Sequence, residues 1–306
     1  MAVLSTTKNG VKLFPEVLIP DLVQLTTGKS ALAQLCGAKP IPFNGMQEFT
    51  FTLDREIDLV AENGAKSHGG VTVDPVKVMP LKVEYGARIS DEYDFASEEV
   101  KIDYLRAFAE GFAKKLARGI DLMAFHGVNP RTGTAAALIG TNHFDGKVTQ
   151  IVYQGSQTAD AAMEAAIALV QGNERDVSGA AFAPSFRSAL AAMTVNGGAK
   201  LFPELAWGNA PGTVNGLPIQ VNSTVSANSS TDLAVVGDFA GSFRWGFAKQ
   251  IPLEIIRYGN PDNSEDGDLK GHNQLYLRAE AFVGWAVLDP TAFALVRSGT
   301  APSGTT

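Results

Sequence analysis

The stretch that decides the fold is EFTFTLDREIDLVAENGAKSHGGVTVDPVKVMPLKVEYGARIS, residues 48–90. Apolar and polar side chains alternate along both of its ends, which is the two-residue period of a strand with one buried face. The apolar positions of the first end are Phe49, Phe51, Leu53, Ile57, Leu59 and Ala61. Those of the second end are Val71, Val73, Met79, Leu81, Val83, Tyr85, Ala87 and Ile89. The pattern predicts two long strands.

Between these strands, residues 63–70 are rich in glycine and poor in apolar side chains. Glycine and asparagine accept the positive φ angles of turns, so this segment predicts the exposed tip of one long β-hairpin over residues 48–90. At about 3.3 Å per residue its first arm would be about 50 Å long, close to the diameter of a compact chain of this size. A two-stranded ribbon is marginally stable alone, so we expect a neighbouring copy of the chain to cover its apolar face.

The composition is that of a globular protein and disfavours several other classes. The chain has 306 residues, 45% hydrophobic and 19% charged, and can bury a sizeable core. A net charge of −7 disfavours a phosphate-neutralising surface, because nucleic-acid binders concentrate Lys and Arg on one face. The single cysteine, Cys36, excludes an intramolecular disulfide and is expected to be a small buried hydrophobe. We recognise neither a signal-peptide pattern nor a membrane-spanning run, so no membrane partner is expected.

Residues 97–126 have the pattern of one long helix. Ser97 can cap its start, Gly127 can end it, and apolar residues recur every four positions. These residues are Val100, Tyr104, Phe108, Phe112, Leu116 and Ile120. Basic residues lie mostly off this stripe: Arg106, Lys114, Lys115 and Arg118. In a neighbouring copy they are candidates to pair with the acidic face of the first hairpin arm. The alternative is that this acidic face is exposed to solvent.

The other segments predict an extended arm and a mixed α/β layer. Residues 1–47 hold many prolines and glycines, with a short helix expected around 21–34 that begins at Asp21. Further helices are expected at 158–171 and 184–193, and strands at 180–183, 217–221, 233–239, 243–247 and 251–258. Residues 273–287 alternate again and predict a second long strand. The fold class that follows is α+β (mixed).

We find no catalytic or cofactor-binding motif of specific spacing. The nucleophile elbow, the phosphate loop, the dinucleotide fingerprint and the zinc-protease pattern do not occur. The four histidines stand isolated along the chain: His68, His126, His143 and His272. An acidic group lacks the spacing of a calcium loop and is interpreted as a solvated loop: Asp262, Glu265, Asp266 and Asp268. We therefore predict no catalytic residue, no cofactor and no metal, and keep a cytosolic α/β enzyme with a site of scattered residues as a distant alternative.

The order of these elements resembles that of the major capsid proteins of tailed bacteriophages with the Hong Kong 97-type fold. That order is an extended arm, a long hairpin, a long helix, an α/β layer and a long returning strand. Later segments are similar to that family as well: VNGLPI at 214–219, LAVVGDF at 233–239, LRAEAFVGW at 277–285 and DPTAF at 289–293. The similarity extends over nearly the whole chain.

The resemblance implies names for the parts of the chain. Residues 1–47 would be the N-terminal arm, 48–96 the E-loop hairpin with its lead-in, and 97–150 the peripheral domain with its spine helix. Residues 151–250 would be the axial domain. Residues 251–306 would return to the peripheral domain and end in a C-terminal tail.

Two features of the family are matched only in part. Some members carry an N-terminal scaffold segment that is cleaved off; we recognise none before Val11, and the initial Met favours a separate scaffolding protein. Some members join an E-loop lysine to an asparagine of the peripheral domain by an isopeptide bond. Lys66 lies at the hairpin tip and is the candidate for such a crosslink, although the matching Asn and the assisting Glu are not recognised.

The resemblance implies a structural protein and not an enzyme. We predict a major capsid protein whose pentamers and hexamers close an icosahedral shell around phage double-stranded DNA, without specific binding to it, assembled in the host cytoplasm. A separate scaffolding protein, a portal and decoration proteins would be its partners. The nearest alternative is an encapsulin-like nanocompartment shell protein of the same fold. The predicted inter-subunit contacts are Phe49, Phe51, Leu53, Ile57, Leu59, Val71, Val73, Leu81 and Val83.

Overall fold

The computed structural model describes residues 30–228 and 230–301. Most of the predicted N-terminal arm, including the predicted helix start at Asp21, and the tail beyond residue 301 lie outside the described residues. In chain order the helices are α1 (Ala31–Leu35), α2 (Glu98–His126), α3 (Phe144–Lys147), α4 (Ala159–Gly172), α5 (Pro184–Ala192) and α6 (Phe239–Ser242). The strands are β1 (Met46–Leu53), β2 (Val71–Val78), β3 (Leu81–Ser90), β4 (Ile151–Tyr153), β5 (Gly179–Phe182), β6 (Thr213–Val214), β7 (Leu217–Val221), β8 (Asp232–Gly237), β9 (Phe243–Ile256), β10 (Gln274–Val287) and β11 (Phe293–Arg297).

Helix α2 begins and ends where the sequence predicts. The Ser97 hydroxyl accepts a hydrogen bond from the amide of Val100 at the first turn. Gly127 takes a left-handed conformation with φ of 65°, and its amide donates to the Met123 carbonyl. Glycine is the residue that adopts this cap without a Cβ penalty, so the end of the helix is encoded locally.

A mixed sheet in the order β4-β11-β8-β5-β7-β6 is the largest sheet among the described residues. Strands β5 and β7 are parallel, as are β4 and β11, whereas β8 is antiparallel to both of its neighbours. Alternate residues of its strands lie on opposite faces. Ala234 and Val236 contribute to a cluster with α4 and α5 on one face, while Val235 joins the central core on the other.

The central core lies between this six-stranded sheet, helix α2 and an antiparallel sheet in the order β3-β10-β9. Phe144 of the one-turn helix α3 is fully buried there and contacts four other phenylalanine rings at centroid distances of 5.0 to 6.0 Å: Phe125, Phe239, Phe243 and Phe293. Cys36 is buried as predicted, and burial raises the pKa of its thiol. The Trp245 indole donates to the Cys36 carbonyl at 2.7 Å, so this residue is part of the core.

Strands β1 and β2 form a separate two-stranded ribbon that is anchored at its base. Met46 and Val76 pack there with Ile41, Val78 and Ala286, which are buried. The Arg244 guanidinium donates to the Glu48 carboxylate at 3.2 Å, from strand β9 to the ribbon. The ribbon is therefore fixed to the body at one end.

The predicted hairpin over residues 48–90 is wrong in its second half. The ribbon pairs only Met46–Leu53 with Val71–Val78, and residues 81–90 pair with β10 instead. Pro80 lies between β2 and β3 and has no amide hydrogen to continue the first ladder. Leu81 and Val83 consequently pack against the subunit's own core, and we withdraw them from the predicted inter-subunit contacts.

Two predicted boundaries in the last third of the chain also differ from the structure. The predicted strands at 243–247 and 251–258 are one strand, β9, because β10 pairs with it along most of its length. The boundary at residue 250 therefore lies inside a strand. Strand β11, predicted to return to the peripheral domain, pairs with β4 and β8 inside the six-stranded sheet. The division into peripheral and axial domains stays a prediction.

Candidate inter-subunit surface

One face of the β1–β2 ribbon is apolar and open to solvent. Phe49 is 57% exposed, Leu53 71%, Val71 58% and Val73 43%. In the antiparallel register Leu53 is opposite Val71, and Phe51 is opposite Val73. Residues directly opposite one another project their side chains from the same face of a ribbon. The structure thus brings Phe49, Leu53, Val71 and Val73 together on one face, which we call the ribbon face.

The ribbon is closed by an exposed loop, residues 54–70, that contains no strand. The Gly70 amide donates to the Asp54 carboxylate at 2.7 Å, and the Asp54 amide donates to the Gly70 carbonyl, so the loop is closed at its base. Ile57 and Leu59 are almost fully exposed, although they were predicted to continue the strand alternation. Lys66 is exposed as well. The loop carries four carboxylates and two basic side chains.

A second exposed apolar area lies at the start of α2, and the sequence pattern did not identify it. Phe95 is 87% exposed, and Val100, Ile102 and Tyr104 are between 40% and 55% exposed. Helical spacing marked Val100 and Tyr104 as core positions, but the described body covers the stripe only from its middle onward, where Phe112 is buried. The length of the apolar stripe along α2 could have indicated this area. A core of one layer covers only part of such a stripe, so the rest stays exposed in the subunit.

Trp207 is a further exposed apolar residue without a sequence signal. Its side chain is fully exposed, and its backbone is left-handed with φ of 58° and ψ of 27°. A left-handed conformation costs a residue with a Cβ about 1–2 kcal/mol. An exposed indole on a strained turn is typical of a binding surface and not of a core.

A buried carboxylate ties α1 to α2. Asp121 of α2 has no exposed surface. Burial raises the pKa of Asp121 to about 6, although its hydrogen-bond donors favour the charged form. The donors are the Ser30 hydroxyl at 2.5 Å, the amides of Ala31 at 2.9 Å and Leu32 at 3.3 Å, the Thr224 hydroxyl at 3.0 Å and the Asn222 amide group at 3.3 Å. The first turn of α1 is held by this carboxylate.

Several of the histidines and acidic residues singled out in the sequence have partners in the structure. His126 meets Asp145 and Asp232, and within the described ranges this is the one group with the spacing of metal ligands. Arg297 donates to both carboxylates, at 3.0 and 2.6 Å, so the cluster is an ion-pair network whose acceptors are already engaged. We therefore find no argument for a cation there.

The predicted solvated acidic loop near residue 262 is tied to strand β3. The Arg88 guanidinium forms two hydrogen bonds with Asp262 and holds the pKa of that carboxyl down to about 2. Asp268 accepts hydrogen bonds from the amides of Gly259 and Gly271 within the loop. These carboxylates close the loop and are not arranged as calcium ligands.

The model of the phage capsid family matches residues 10–298. The chain belongs to the phage capsid family. A solved structure from Mycobacterium phage Ogopogo is 35% identical, covers 89% of this chain and 92% of its own, and superposes with a TM-score of 0.76. A structure from Gordonia phage Cozz has 23% identity, coverage of 88% and 86%, and a TM-score of 0.72. The structure described as the capsid of an empty GTA particle computed with C5 symmetry has 14% identity, coverage of 89% and 97%, and a TM-score of 0.63. These last two support the fold alone.

This capsid protein is therefore a structural component of a shell and has the Hong Kong 97-type fold that the resemblance implied. It assembles with other copies of itself and is located in the virion capsid. The encapsulin-like and enzyme alternatives are not favoured by these matches. No curated protein sequence matches the chain. None of the described helices has the length and apolar character needed to cross a membrane.

Proposed function

We propose that copies of this capsid protein close an icosahedral shell around phage double-stranded DNA, and that each ribbon face lies on a neighbouring subunit. The observation that supports this contact is the exposure of four large apolar side chains on one face of the ribbon. Apolar surface removed from water contributes about 25 cal/mol per Å², so covering this face favours association. A two-stranded ribbon with one apolar face is otherwise marginal.

The proposed contact is heterologous, since the ribbon face of one copy meets a different surface of the next. Heterologous contacts that repeat with a closing rotation generate rings, and rings combine into closed shells. The ribbon suits this role because its base is fixed by Glu48 and Arg244 while its tip stays exposed. Each copy can thus present one arm and accept another.

The charges of the loop and of α2 indicate which surface of the neighbour the loop contacts. The loop over residues 54–70 has an excess of carboxylates, whereas four basic residues are exposed on α2. These are Arg106, Lys114, Lys115 and Arg118. Opposite charges across an interface guide the orientation of the partners and add to the rate of association. We infer that the loop of one copy lies beside these basic residues of α2 in the next.

The remaining partners follow the same proposal. The net charge of −7 fits a wall that encloses DNA without binding it specifically. A separate scaffolding protein, a portal and decoration proteins would act with it, and assembly would take place in the host cytoplasm. Lys66 stays the candidate for a covalent crosslink between subunits.

Replacing residues 55–69 with Asn-Gly tests the contact made by the loop at the end of the ribbon. This dipeptide favours a tight hairpin turn, and the replacement keeps Leu53 opposite Val71 in register. We expect folded subunits that form fewer and less heat-resistant shells when counted by negative-stain microscopy. The matched control, Ser67→Ala, keeps the loop and its charge and should form normal shells. Equal numbers of equally stable shells from both variants would show that the loop is not a contact.

Two further measurements test the finer proposals. Shells purified from infected cells should contain nuclease-protected double-stranded DNA; a single co-purified enzyme in place of DNA would indicate a nanocompartment. Boiled shells run on a denaturing gel should show a ladder of covalent multimers if Lys66 forms crosslinks, and Lys66→Arg should abolish that ladder. A ladder that persists in the variant would assign the crosslink to another residue.

A further inference from the structure

Polar groups from five segments meet where the end of α2 contacts the six-stranded sheet. His126 is the last residue of α2, Asp145 belongs to α3, Thr224 follows β7, and Asp232 and Arg297 lie at the ends of β8 and β11. The His126 Nδ1 atom is 2.7 Å from Asp145 Oδ2 and 3.9 Å from Asp232 Oδ2. Its Nε2 atom is 2.8 Å from the Thr224 carbonyl oxygen. The cluster therefore connects the long helix to the sheet.

The geometry requires His126 to carry two ring protons. A carbonyl oxygen can only accept, so Nε2 must donate to Thr224. The Asp145 carboxylate also accepts, so Nδ1 must donate to it. A neutral imidazole has one N–H, whereas the imidazolium has two. With only 4% of the His126 side chain exposed, water cannot replace a lost partner.

The surrounding charges stabilise this imidazolium. Burial alone would lower the pKa of His126, but its hydrogen bonds to Asp145 and Thr224 and the charges of Asp145 and Asp232 raise it above its ordinary value. Despite burial, the pKa of Asp145 is lowered to about 2 by His126 and its other partners. Burial and the neighbouring Asp145 raise the pKa of Asp232 to about 6. Arg297 pairs with both Asp145 and Asp232, so one guanidinium and one imidazolium balance the two carboxylates.

Other titratable groups lie near the His126 ring but are not its hydrogen-bond partners. His143 lies beside it, and burial lowers the pKa of that imidazole, so it stays neutral near pH 7. Asp121 is linked to the ring through Thr224. The Thr224 hydroxyl donates to the Asp121 carboxylate, and the Thr224 carbonyl accepts from the ring. Lys147 is directed elsewhere and donates to the Val287 carbonyl.

We propose that this cluster is a proton-dependent clamp between α2 and the six-stranded sheet, closed while His126 is protonated and weakened when the proton leaves. Loss of one ring proton turns a donor into a lone pair that faces either Asp145 or the Thr224 carbonyl. The segment after β7, which also holds Asp121, would then separate from the end of α2. Because α2 and the sheet belong to one subunit, the clamp sets its shape within the shell, independently of the ribbon contact.

The direction of the pH effect follows from linkage. A histidine with a raised pKa in the closed state stabilises that state fully below its ordinary pKa of 6.5. The stabilisation is lost as the pH rises from there through the raised value. Over that interval the opening constant should increase by up to about tenfold per pH unit and then level off. Asp232 loses its proton near pH 6 and acts in the same direction at lower pH.

Hydrogen–deuterium exchange of intact shells between pH 6 and pH 9, corrected for the intrinsic pH dependence of exchange, tests the clamp. We expect the opening of residues 121–126 and 222–228 to increase with pH in the wild type. His126→Gln should remove that dependence above pH 7, beyond the pKa of about 6 of Asp121 and Asp232. His272→Gln, whose ring nitrogen lies 3.0 Å from the Asp268 carbonyl oxygen in its own loop, is the matched control and should behave as the wild type. Asp145→Asn should move the onset of opening to lower pH, and this variant carries the test if His126→Gln does not fold. Wild-type protection that does not change between pH 6 and pH 9, or a pH dependence above pH 7 that persists in His126→Gln, would overturn the proposal.

Discussion

Leu53 and Val71 lie directly opposite each other on strands β1 and β2, and the side chains of both are exposed to water. Cross-strand pairs of this kind stabilise a ribbon when a third surface covers them. In the subunit no described residue supplies that cover. The relationship is expected of an arm that becomes buried only on assembly, and it sets the predictions for the ribbon face.

The first prediction concerns the ribbon face itself. Val71→Thr and Val73→Thr keep the shape of the side chains and add a hydroxyl that is unfavourable when buried. Because both positions are exposed in the subunit, its free energy of unfolding should change by less than about 0.5 kcal/mol. Shells of the double variant should dissociate at lower denaturant concentration, since each buried hydroxyl without a partner costs about 1–3 kcal/mol. Light scattering during a denaturant titration measures the difference.

Thr72→Ser is the matched control for these substitutions, because Thr72 projects from the opposite face of the same strand. Its shells should match the wild type. Equal losses from Thr72→Ser and from the valine substitutions would show that strand stability, and not the ribbon face, was affected.

The second prediction concerns charge at the contact. Lys114→Glu with Lys115→Glu should slow shell assembly at low salt, because the acidic loop of a neighbour would then face carboxylates. Reversing Glu56 and Asp58 to lysine in the same chain should restore the rate at least in part. Assembly kinetics followed by light scattering give the comparison. A rescue that fails, with both variants folded, would place the loop on another surface.

The third prediction concerns the buried carboxylate of α2. Asp121→Asn leaves the position with one acceptor oxygen for five donors, and at least two donors would lose their partner. The free energy of unfolding should fall by about 3 kcal/mol, as measured by denaturation of the subunit. Asp103→Asn, at the exposed start of the same helix, is the control and should have almost no effect. If both variants lose a similar free energy of unfolding, the effect comes from the lower helix propensity of Asn and not from the buried carboxylate.

The fourth prediction uses two glycines. A Cβ at Gly86 would overlap the ring of Tyr276 on the adjacent strand, so Gly86→Ala should destabilise the subunit by about 1–3 kcal/mol. Gly111, inside α2, has open space around it, and Gly111→Ala should stabilise the subunit by about 0.5–1 kcal/mol. Thermal unfolding of the two variants should therefore shift in opposite directions. A stabilised Gly86→Ala would contradict the described packing of Tyr276.

Local sequence signals identified the long helix and the alternating strands, but they did not show where every strand ends or which strands pair. Ser97 and Gly127 marked α2 because a cap depends on a few neighbouring residues. Alternation assigned Phe49 and Val71 to one face, but it does not state which strand pairs with which. The sequence therefore did not reveal that β3 leaves the ribbon for β10, although Pro80 marked the break.

The polar clusters were beyond sequence reasoning for a physical reason. His126, Asp145 and Asp232 come from separate elements, and only tertiary folding brings their side chains together. The exposed apolar residues were missed because spacing predicts which side chains share a face, not whether another part of the subunit covers that face. Phe95 and Trp207 are examples.

The most direct test of the central claim is an electron cryomicroscopy reconstruction of the assembled shell, examined at the ribbon face. We predict that Phe49, Leu53, Val71 and Val73 lie in van der Waals contact with a neighbouring subunit, with the loop over 54–70 beside the basic residues of its α2. A shell in which these four side chains stay exposed to solvent, or fold back onto their own subunit, would contradict the account.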